Sequence, residues 1–226
     1  MKKIYLVRHG QSHSNAGGEA MINADIPLTE LGQHQAEQVA YWLYETLGDN
    51  IDSIMVSKFL RTHQTAKPLV DKLGITPTIV EGLQEFDYLS FAKIDGTTLE
   101  ERRQMAEDYW LTHSPDEMHG GDAETYHNFC GRVEQVLAYF RQLPTGNHVA
   151  FTHGLWISML IWQILGQTKD GNRTMQKFVQ FERPIRTKNC EVFCLTLLDD
   201  NDVINGIDAM SLPPMITKVR SLNSID

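Results

Sequence analysis

The chain has 226 residues, of which 42% are hydrophobic, and its 20 basic and 29 acidic side chains give a formal net charge of −9. A chain of this length and hydrophobic content can bury a substantial core, and we expect residues 1–226 to form a single domain. The negative charge and the lack of a clustered Lys/Arg stripe argue against nucleic acid as a partner.

Nothing in the sequence predicts contact with a membrane. The apolar run at residues 4–7 is interrupted by Arg8 and His9 too early for the apolar region of a signal peptide. The longest later apolar stretch, residues 155–165, is too short to span a bilayer. Cys190 and Cys194 lie four strand steps apart, about 13 Å, which exceeds the roughly 7 Å limit for a disulfide. We therefore expect a cytoplasmic protein with reduced thiols.

Strand and helix patterns alternate along the first third of the chain. Residues 4–7 predict a buried strand, and Thr29 and Gly48 mark the two ends of an amphipathic helix. Residues 54–56 and 76–80 predict two further strands, separated by a helix over residues 59–73. This alternation is typical of an α/β fold with a mostly parallel sheet.

The remainder of the chain contains an irregular segment before the alternation resumes. Residues 86–121 combine a predicted helix over 99–111 with a polar loop, and we expect them to form a helical insertion, or cap, over the C-terminal edge of the sheet. A helix capped by Asp122 and extending to residue 143, a strand at 149–152, a helix at 155–165 and a strand at 190–198 follow. The predicted fold is a three-layer αβα sandwich.

Polar and charged residues follow each of the first four predicted strands. In an open α/β sheet, ligands bind outside the carboxyl ends of the strands, so these side chains should converge. The residues are Arg8, His9, Gly10, Ser57, Arg61, Glu85, His153 and Gly154. Two arginines, two histidines and one carboxylate are a set suited to phosphoryl transfer.

Each of these residue types has a chemical reason to be there. The guanidinium groups of Arg8 and Arg61 can hold a phosphate dianion without losing a proton. A neutral imidazole, for which His9 is the candidate, has a lone pair that can attack phosphorus. The departing alcohol needs a proton, which Glu85 is placed to supply. His153 would stabilise charge on the transferring group.

Four segments resemble conserved motifs of one family. Residues 6–15 are LVRHGQSHSN, residues 27–36 are PLTELGQHQA, residues 57–66 are SKFLRTHQTA and residues 149–154 are VAFTHG. They are similar, in the same order, to the Arg-His-Gly signature, the helix opening, the second arginine segment and the second histidine segment of the histidine phosphatase (phosphoglycerate mutase-like) superfamily.

The resemblance implies a reaction and a set of roles. His9 would be the nucleophile that becomes phosphorylated, and Glu85 would be the proton donor and then the base that activates water. No metal or other cofactor is implied. The binding partner would be a small phosphorylated substrate, and we expect the protein to be a monomer or a homodimer. The implied phosphate-binding residues are Arg8, Gln11, Asn15, Arg61, His153 and the Gly154 amide.

The sequence departs from the family pattern after the proposed acid. The family often continues with a glycine and a tryptophan, where this chain has Leu89 and Phe91. Asp87 is an alternative acid in this loop. Asn15 has an alternative role as well, because its side chain could cap a turn instead of contacting phosphate.

Other functions are open to comparison on the same residues. His9 and His13 have the spacing of two helical metal ligands, but Gly10 occupies the position of the glutamate in a His-Glu-x-x-His motif. No Gly-x-x-x-x-Gly-Lys loop supports a nucleotide kinase. Within the family, the alternatives to a phosphatase are a phosphoglycerate mutase-type phosphotransferase and a catalytically silent relative that only binds phospho-ligands.

Overall fold

The structure is a computed structural model that describes residues 1–167, 172–198, 203–204, 207–208 and 214–221. It contains eight strands within these residues. They are β1 Lys2–Arg8, β2 Ser53–Val56, β3 Thr78–Ile79, β4 Gly146–Thr152, β5 Val192–Leu197, β6 Val203–Ile204, β7 Ile207–Asp208 and β8 Met215–Arg220. Six of them form one sheet in the order β3-β2-β4-β1-β5-β8, and β6 pairs with β7.

Seven α-helices connect and cover the strands of the described chain. They are α1 Glu30–Leu47, α2 Leu60–Leu73, α3 Phe91–Ile94, α4 Leu99–Thr112, α5 Tyr126–Gln142, α6 Gly154–Ile164 and α7 Asn172–Ile185. A short 3-10 turn, Asn23–Asp25, lies between β1 and α1. No helix within the described ranges combines the length and apolar character needed to cross a bilayer.

The main sheet is mostly parallel, as the alternating pattern predicted. Strands β1 to β4 pair in parallel, whereas β5 pairs antiparallel with both β1 and β8. Alternate residues of β1 enter two different hydrophobic clusters. Ile4 and Leu6 pack with residues of α5 and α6, and Tyr5 and Val7 pack with residues of α1 and α2. Because side chains alternate across a strand, this division places helices on both faces and confirms the three-layer αβα arrangement.

Helix ends follow the predicted capping residues in most cases. The Thr29 side chain accepts a hydrogen bond from the Gly32 amide at the start of α1, and Gly48 ends that helix with a positive φ. The prediction that Asp122 caps α5 was wrong. Thr125 is the cap, because its hydroxyl accepts from the Asn128 amide.

The sequence analysis did not predict α7 or the strands β6, β7 and β8. Helix α7 packs against α4 of the insertion, where Arg183 and Glu107 form an ion pair of 2.7 Å. Strand β8 forms an edge of the main sheet beside β5. Strand β3 is shorter than predicted, with only Thr78 and Ile79 paired to β2.

Candidate active site

The register of the parallel strands brings the candidate residues to one edge of the sheet. Arg8 of β1 is paired with Thr152 of β4, and Val56 of β2 is paired with Phe151. The chain therefore leaves β1, β2 and β4 at the same level. His9, Ser57 and His153 are the next residues on these three strands, and all three are buried.

The two ring nitrogens of His9 have different roles, since Nδ1 bonds to the backbone and Nε2 faces Arg61. Its Nε2 accepts a hydrogen bond of 3.2 Å from Arg61 Nε, which has no lone pair to offer in return. The proton must therefore be on Nδ1, which lies 2.7 Å from the Gly10 carbonyl oxygen and donates to it. Burial, with the positive charges of Arg61 and Arg8, holds the pKa of His9 well below 6.5. His9 is thus a neutral imidazole whose Nε2 lone pair points toward Arg61.

Two guanidinium groups lie beside His9, that of the buried Arg61 and that of the partly buried Arg8. Arg61 donates through its terminal nitrogens to the Asn23 carbonyl and side-chain oxygens, at 2.6 and 3.0 Å. Burial lowers the pKa of Arg61 to about 10, so it stays charged at neutral pH. Arg8 donates to the Thr187 carbonyl oxygen, and its buried Nε has no hydrogen-bond partner in the described chain. An unpaired buried donor on a cation is costly unless an anion binds there.

His153 is the second histidine of the site, and its ring packs beside that of His9. Its ring centroid is 5.1 Å from that of His9, and its Nε2 is 2.8 Å from the Ser57 hydroxyl. Its Nδ1 is buried without a hydrogen-bond partner among the described residues. Burial and the charge of Arg61 hold the pKa of His153 well below 6.5. One ring nitrogen of His153 is therefore unpaired beside His9, although His153 is fully buried and is not among the residues that line the cavity.

Glu85 lies at the N-terminus of α6 and reaches the site from the β3 side. One carboxylate oxygen accepts from the Phe86 and Trp156 amides at 3.0 and 3.2 Å, and the other accepts from the Leu155 amide at 3.2 Å. Burial raises the pKa of Glu85 above 4.5, although the Phe86 amide and Arg61 oppose this shift. A carboxyl group that retains its proton above the usual range is suited to act as an acid.

Asp87, the alternative acid, also lines the cavity in front of His9. Burial raises its pKa above 3.8, and its carboxylate accepts a 3.0 Å hydrogen bond from the Asn23 side chain. Asn23 therefore links Asp87 to Arg61. Glu85 is distinguished from Asp87 because it accepts from two amides in the first turn of α6, those of Leu155 and Trp156.

The other predicted phosphate-binding residues differ in their surroundings. Asn15 lines the cavity, but its side-chain oxygen accepts from the Ser12 amide, so it also caps that turn. Gln11 is not among the residues that line the cavity, and its side-chain oxygen accepts from the Thr29 hydroxyl at 2.8 Å. Gly154 lines the cavity beside Arg8, where an added Cβ would lie 3.3 Å from Arg8 Nε.

The position after His9 needs a glycine because the loop is packed closely against α1. An added Cβ at Gly10 would come closer than 3.0 Å to the Gly32 carbonyl oxygen. The Gly10 amide also donates to the Thr65 hydroxyl at 3.0 Å. Gly10 therefore lets the nucleophile loop pack directly on the first turn of α1.

Gly10→Ala should consequently destabilise the fold and displace His9. Because the clash is with backbone, we expect a loss of about 1–3 kcal/mol in the free energy of unfolding and a fall in kcat. Gly131→Ala is the matched control, since an added Cβ there meets no atom within 4 Å. In the middle of α5, that change should stabilise by about 0.5–1 kcal/mol. Urea unfolding and activity of both variants test this; an unchanged Gly10→Ala protein would contradict it.

Comparison with known proteins identifies the family of this site. The family model of the histidine phosphatase superfamily (branch 1) matches residues 4–192. The chain belongs to the histidine phosphatase superfamily. It is 31% identical over 195 residues to the probable phosphoglycerate mutase GpmB of Enterobacter sp., covering 85% of this chain and 83% of that protein.

Solved structures of other superfamily members share the fold of this histidine phosphatase-type chain. The mycobacterial glucosyl-3-phosphoglycerate phosphatase has a TM-score of 0.68 at 20% identity, covering 96% of this chain and 97% of that one. The phosphoserine phosphatase of Entamoeba histolytica, in complex with 3-phosphoglyceric acid, has a TM-score of 0.67 at 20% identity, covering 96% of each chain.

Two residues outside the four motifs, Arg132 and Asn23, make hydrogen bonds that position residues of the site. Arg132 of α5 donates to the Gly82 and Glu85 carbonyl oxygens at 2.7 and 3.0 Å and so fixes the loop that presents Glu85. Asn23 orients Arg61 as described above. The sequence around Arg132 or Asn23 did not indicate a role in the site, because each bonds to residues far from it in the sequence.

The segment between α7 and β5 makes hydrogen bonds to the backbone of Arg8 and His9. The Asn189 side chain donates to the His9 carbonyl oxygen at 2.9 Å and to the Asn15 side-chain oxygen at 3.1 Å. The Cys190 amide donates to the Arg8 carbonyl oxygen at 3.0 Å, and Cys190 has a φ of 54°, which is unusual for a residue with a side chain. Asn189 is therefore a positioning residue for His9.

Asn189→Ala should lower kcat with little change in KM. Loss of one hydrogen bond of about 0.5–1.5 kcal/mol to the His9 backbone would loosen the nucleophile and slow turnover roughly two- to tenfold. Asn147→Ala is the control, because Asn147 makes a similar 3.1 Å side-chain bond to the Asn50 carbonyl at the opposite end of the sheet. Steady-state kinetics decide the matter. Equal effects of the two substitutions would argue against a positioning role.

Proposed function

We propose that this protein is a phosphatase that hydrolyses phosphate monoesters through a covalent phosphohistidine on His9, without a metal ion. Its superfamily membership already makes it an enzyme that acts on phosphate. The observation that supports the proposal most is the state of His9, whose neutral Nε2 lies 3.2 Å from a buried arginine.

In the first step, His9 Nε2 attacks phosphorus, and the bond from phosphorus to the ester oxygen breaks. The departing oxygen takes the proton of Glu85, so an alcohol leaves and phosphohistidine remains. In the second step, a water molecule gives a proton to the Glu85 carboxylate and attacks phosphorus. The bond from nitrogen to phosphorus breaks, inorganic phosphate leaves, and both groups return to their starting states.

The buried cations supply the electrostatic part of the mechanism. Arg61 Nε donates to the His9 lone pair in the free site, and a bound phosphoryl oxygen would compete for that donor. The unpartnered Arg8 Nε and His153 Nδ1 are two further groups that can donate to the phosphoryl oxygens. Such preorganised donors stabilise the transferring group without reorganisation during the reaction.

The phosphoglycerate mutase alternative rests on the relatives at about 30% identity that have that name. A mutase would need the phosphoenzyme to last long enough to phosphorylate a bound intermediate. Hydrolysis instead needs water to reach phosphohistidine beside a base. Proteins of this fold with phosphatase names support hydrolysis, and Glu85 is available as the base for water.

One experiment separates the alternatives. The purified protein is incubated with a panel of phosphate monoesters in excess EDTA, and separately with 3-phosphoglycerate with and without a bisphosphate primer. We expect phosphate release that EDTA does not reduce. Primer-dependent isomerisation without phosphate release would favour the mutase. Loss in EDTA with recovery on adding a divalent cation would overturn metal independence, and inactivity on the whole panel would favour a silent phospho-ligand-binding protein.

A further inference from the structure

The site opens into a cavity much larger than a phosphate group. The cavity has a volume of about 720 Å³ and includes Arg8, His9, Arg61 and Glu85 at its catalytic end. Pockets of roughly 300–1,000 Å³ are typical of sites that enclose drug-sized ligands. Because the phosphoryl group occupies the catalytic end, the remaining space must belong to the leaving group or to solvent.

The wall beyond the catalytic end contains both apolar and charged side chains, and the insertion at residues 86–121 contributes most of the apolar ones. They include Leu89, Phe91, Ile94, Leu99, Ala106 and Trp110. The loop between β1 and α1 adds Met21 and Ile22 from the opposite side. Leu99 and Ile22 are 36% and 54% exposed, so part of this apolar surface faces solvent in the free protein. These exposed apolar side chains are available to contact a ligand in the cavity.

The two walls are joined across the cavity. Arg102 of α4 donates to the Thr97 carbonyl oxygen of the insertion and to the Gly18 carbonyl oxygen of the β1–α1 loop, each at 2.6 Å. The walls are therefore held together as parts of one pocket.

The charged groups of the same region have partners already. Arg183 is paired with Glu107 at 2.7 Å, and Arg186 is paired with Glu182 at 3.1 Å. Arg103, the remaining arginine of the lining, is paired with Glu100 at 3.5 Å.

Beyond the catalytic end, four arginines thus line the cavity against five carboxylates, which are Glu19, Asp87, Glu107, Asp122 and Glu182. A leaving group with its own carboxylate would find no surplus positive charge here. An uncharged group would bind without displacing an ion pair.

From this cavity we infer that the substrate is the phosphate monoester of an uncharged, largely apolar alcohol of drug-like size, and that the insertion selects it. The inference rests on the proposed phosphatase function. The phosphate occupies the arginine and histidine end, and the alcohol lies between the insertion and the β1–α1 loop. The chemistry is the two-step hydrolysis described above, with the apolar alcohol as the first product.

A homologous series of n-alkyl phosphates tests this inference, because their leaving groups have nearly constant intrinsic reactivity. We expect kcat/KM to rise about two- to fourfold for each methylene added from ethyl to octyl phosphate, below the concentration at which the longer esters aggregate. 3-Phosphoglycerate and phosphoserine, whose leaving groups are small and charged, should be hydrolysed less efficiently than octyl phosphate.

Variants of the exposed apolar lining locate the effect. Leu99→Ser and Ile22→Ser should each lower kcat/KM for octyl phosphate about threefold or more while changing it less than twofold for ethyl phosphate. Leu111→Ser is the matched control, because Leu111 is 63% exposed on the same helix as Leu99 and does not line the cavity. It should leave both substrates unchanged.

The outcomes separate this inference from the function on which it rests. Hydrolysis of p-nitrophenyl phosphate with phosphorylation of His9, but no dependence on alkyl length, would overturn the inference and leave the phosphatase intact. A preference for 3-phosphoglycerate or phosphoserine would overturn it in the same way. Failure to hydrolyse any ester, with no phosphohistidine formed, would overturn both.

Discussion

His9→Ala should abolish turnover, lowering kcat by at least about 10³-fold, and should remove the phosphoenzyme. Loss of a nucleophile that acts in covalent catalysis has effects of this size or larger, because the remaining groups then act only by binding and polarising the substrate. The side chain lies at the end of β1 and its removal leaves the surrounding hydrogen bonds of Arg61 to Asn23 in place. The variant should therefore fold and still bind phosphate.

Mass spectrometry measures the intermediate directly. Protein quenched at alkaline pH during turnover, where phosphohistidine survives, should show one added phosphoryl group on the peptide that contains His9. His34→Ala is the control, since His34 lies exposed on α1 and contacts Glu37 and Gln38. It should retain activity and the phosphorylated peptide. An active enzyme with unphosphorylated His9 would end the mechanism as proposed.

Glu85→Gln is the second substitution with a large expected effect, and its size should depend on the leaving group. General acid catalysis contributes about 10²–10⁴-fold when the departing alcohol is poor. The loss in kcat/KM, which reports phosphorylation of His9 and not the later hydrolysis, should therefore be of that order for an alkyl phosphate. It should be much smaller for p-nitrophenyl phosphate, whose phenolate leaves without a proton. The matched control is Asp87→Asn, the alternative acid. A leaving-group-dependent loss in Asp87→Asn, with little loss in Glu85→Gln, would reverse the two roles.

The pKa shifts of Glu85 and His9 predict how the phosphorylation rate depends on pH. For phosphorylation of His9 by an alkyl phosphate, the rate should fall as the pH rises through the pKa of Glu85, which burial raises above 4.5. It should also fall at acid pH as His9 gains a proton, at a pKa that burial holds well below 6.5. Single-turnover rates across pH measure both limbs. Glu85→Gln should remove the alkaline limb only.

Stability should also depend on the titration of Glu85. A carboxyl group whose pKa is raised on folding stabilises the fold below its unfolded pKa, and that contribution is lost as the pH rises through its folded pKa. Glu85→Gln removes this titration, so the melting temperature of the wild type relative to that of Glu85→Gln should be higher near pH 4 than above the folded pKa. The Gln side-chain NH2 cannot accept from the amides that bond to Glu85, so the test is the change of this difference with pH.

Much of the framework could be predicted from the order of residues alone. The apolar run before Arg8 and His9, the cap at Thr29 and the glycine after α1 are local signals, and they act through backbone conformation and side-chain periodicity within a few residues. Because parallel strands present their carboxyl ends at one edge, the convergence of Arg8, His9, Ser57 and His153 also follows from the sequence pattern.

Other features depended on contacts between distant segments and had no local signal. The tautomer of His9 is decided by Arg61, which lies 52 residues away in the sequence. The His9 carbonyl oxygen accepts a hydrogen bond from Asn189, which lies 180 residues away. The correction at α5 has a local origin instead, since the deciding bond joins residues three positions apart. Asp122 and Thr125 are both good caps by type, and the bond from the Asn128 amide to Thr125 selects between them.

Local sequence patterns were sufficient for the α/β class and for the nucleophile candidate, because hydrophobic periodicity is a property of neighbouring residues, and the resemblance of four motifs indicated the family. The folded structure was needed to show which charges are compensated, that burial raises the pKa of Glu85, and that the insertion, α7 and the β1–α1 loop line a cavity of about 720 Å³. Desolvation and enclosure arise from the packing of segments far apart in the chain, so they exist only once the chain has folded.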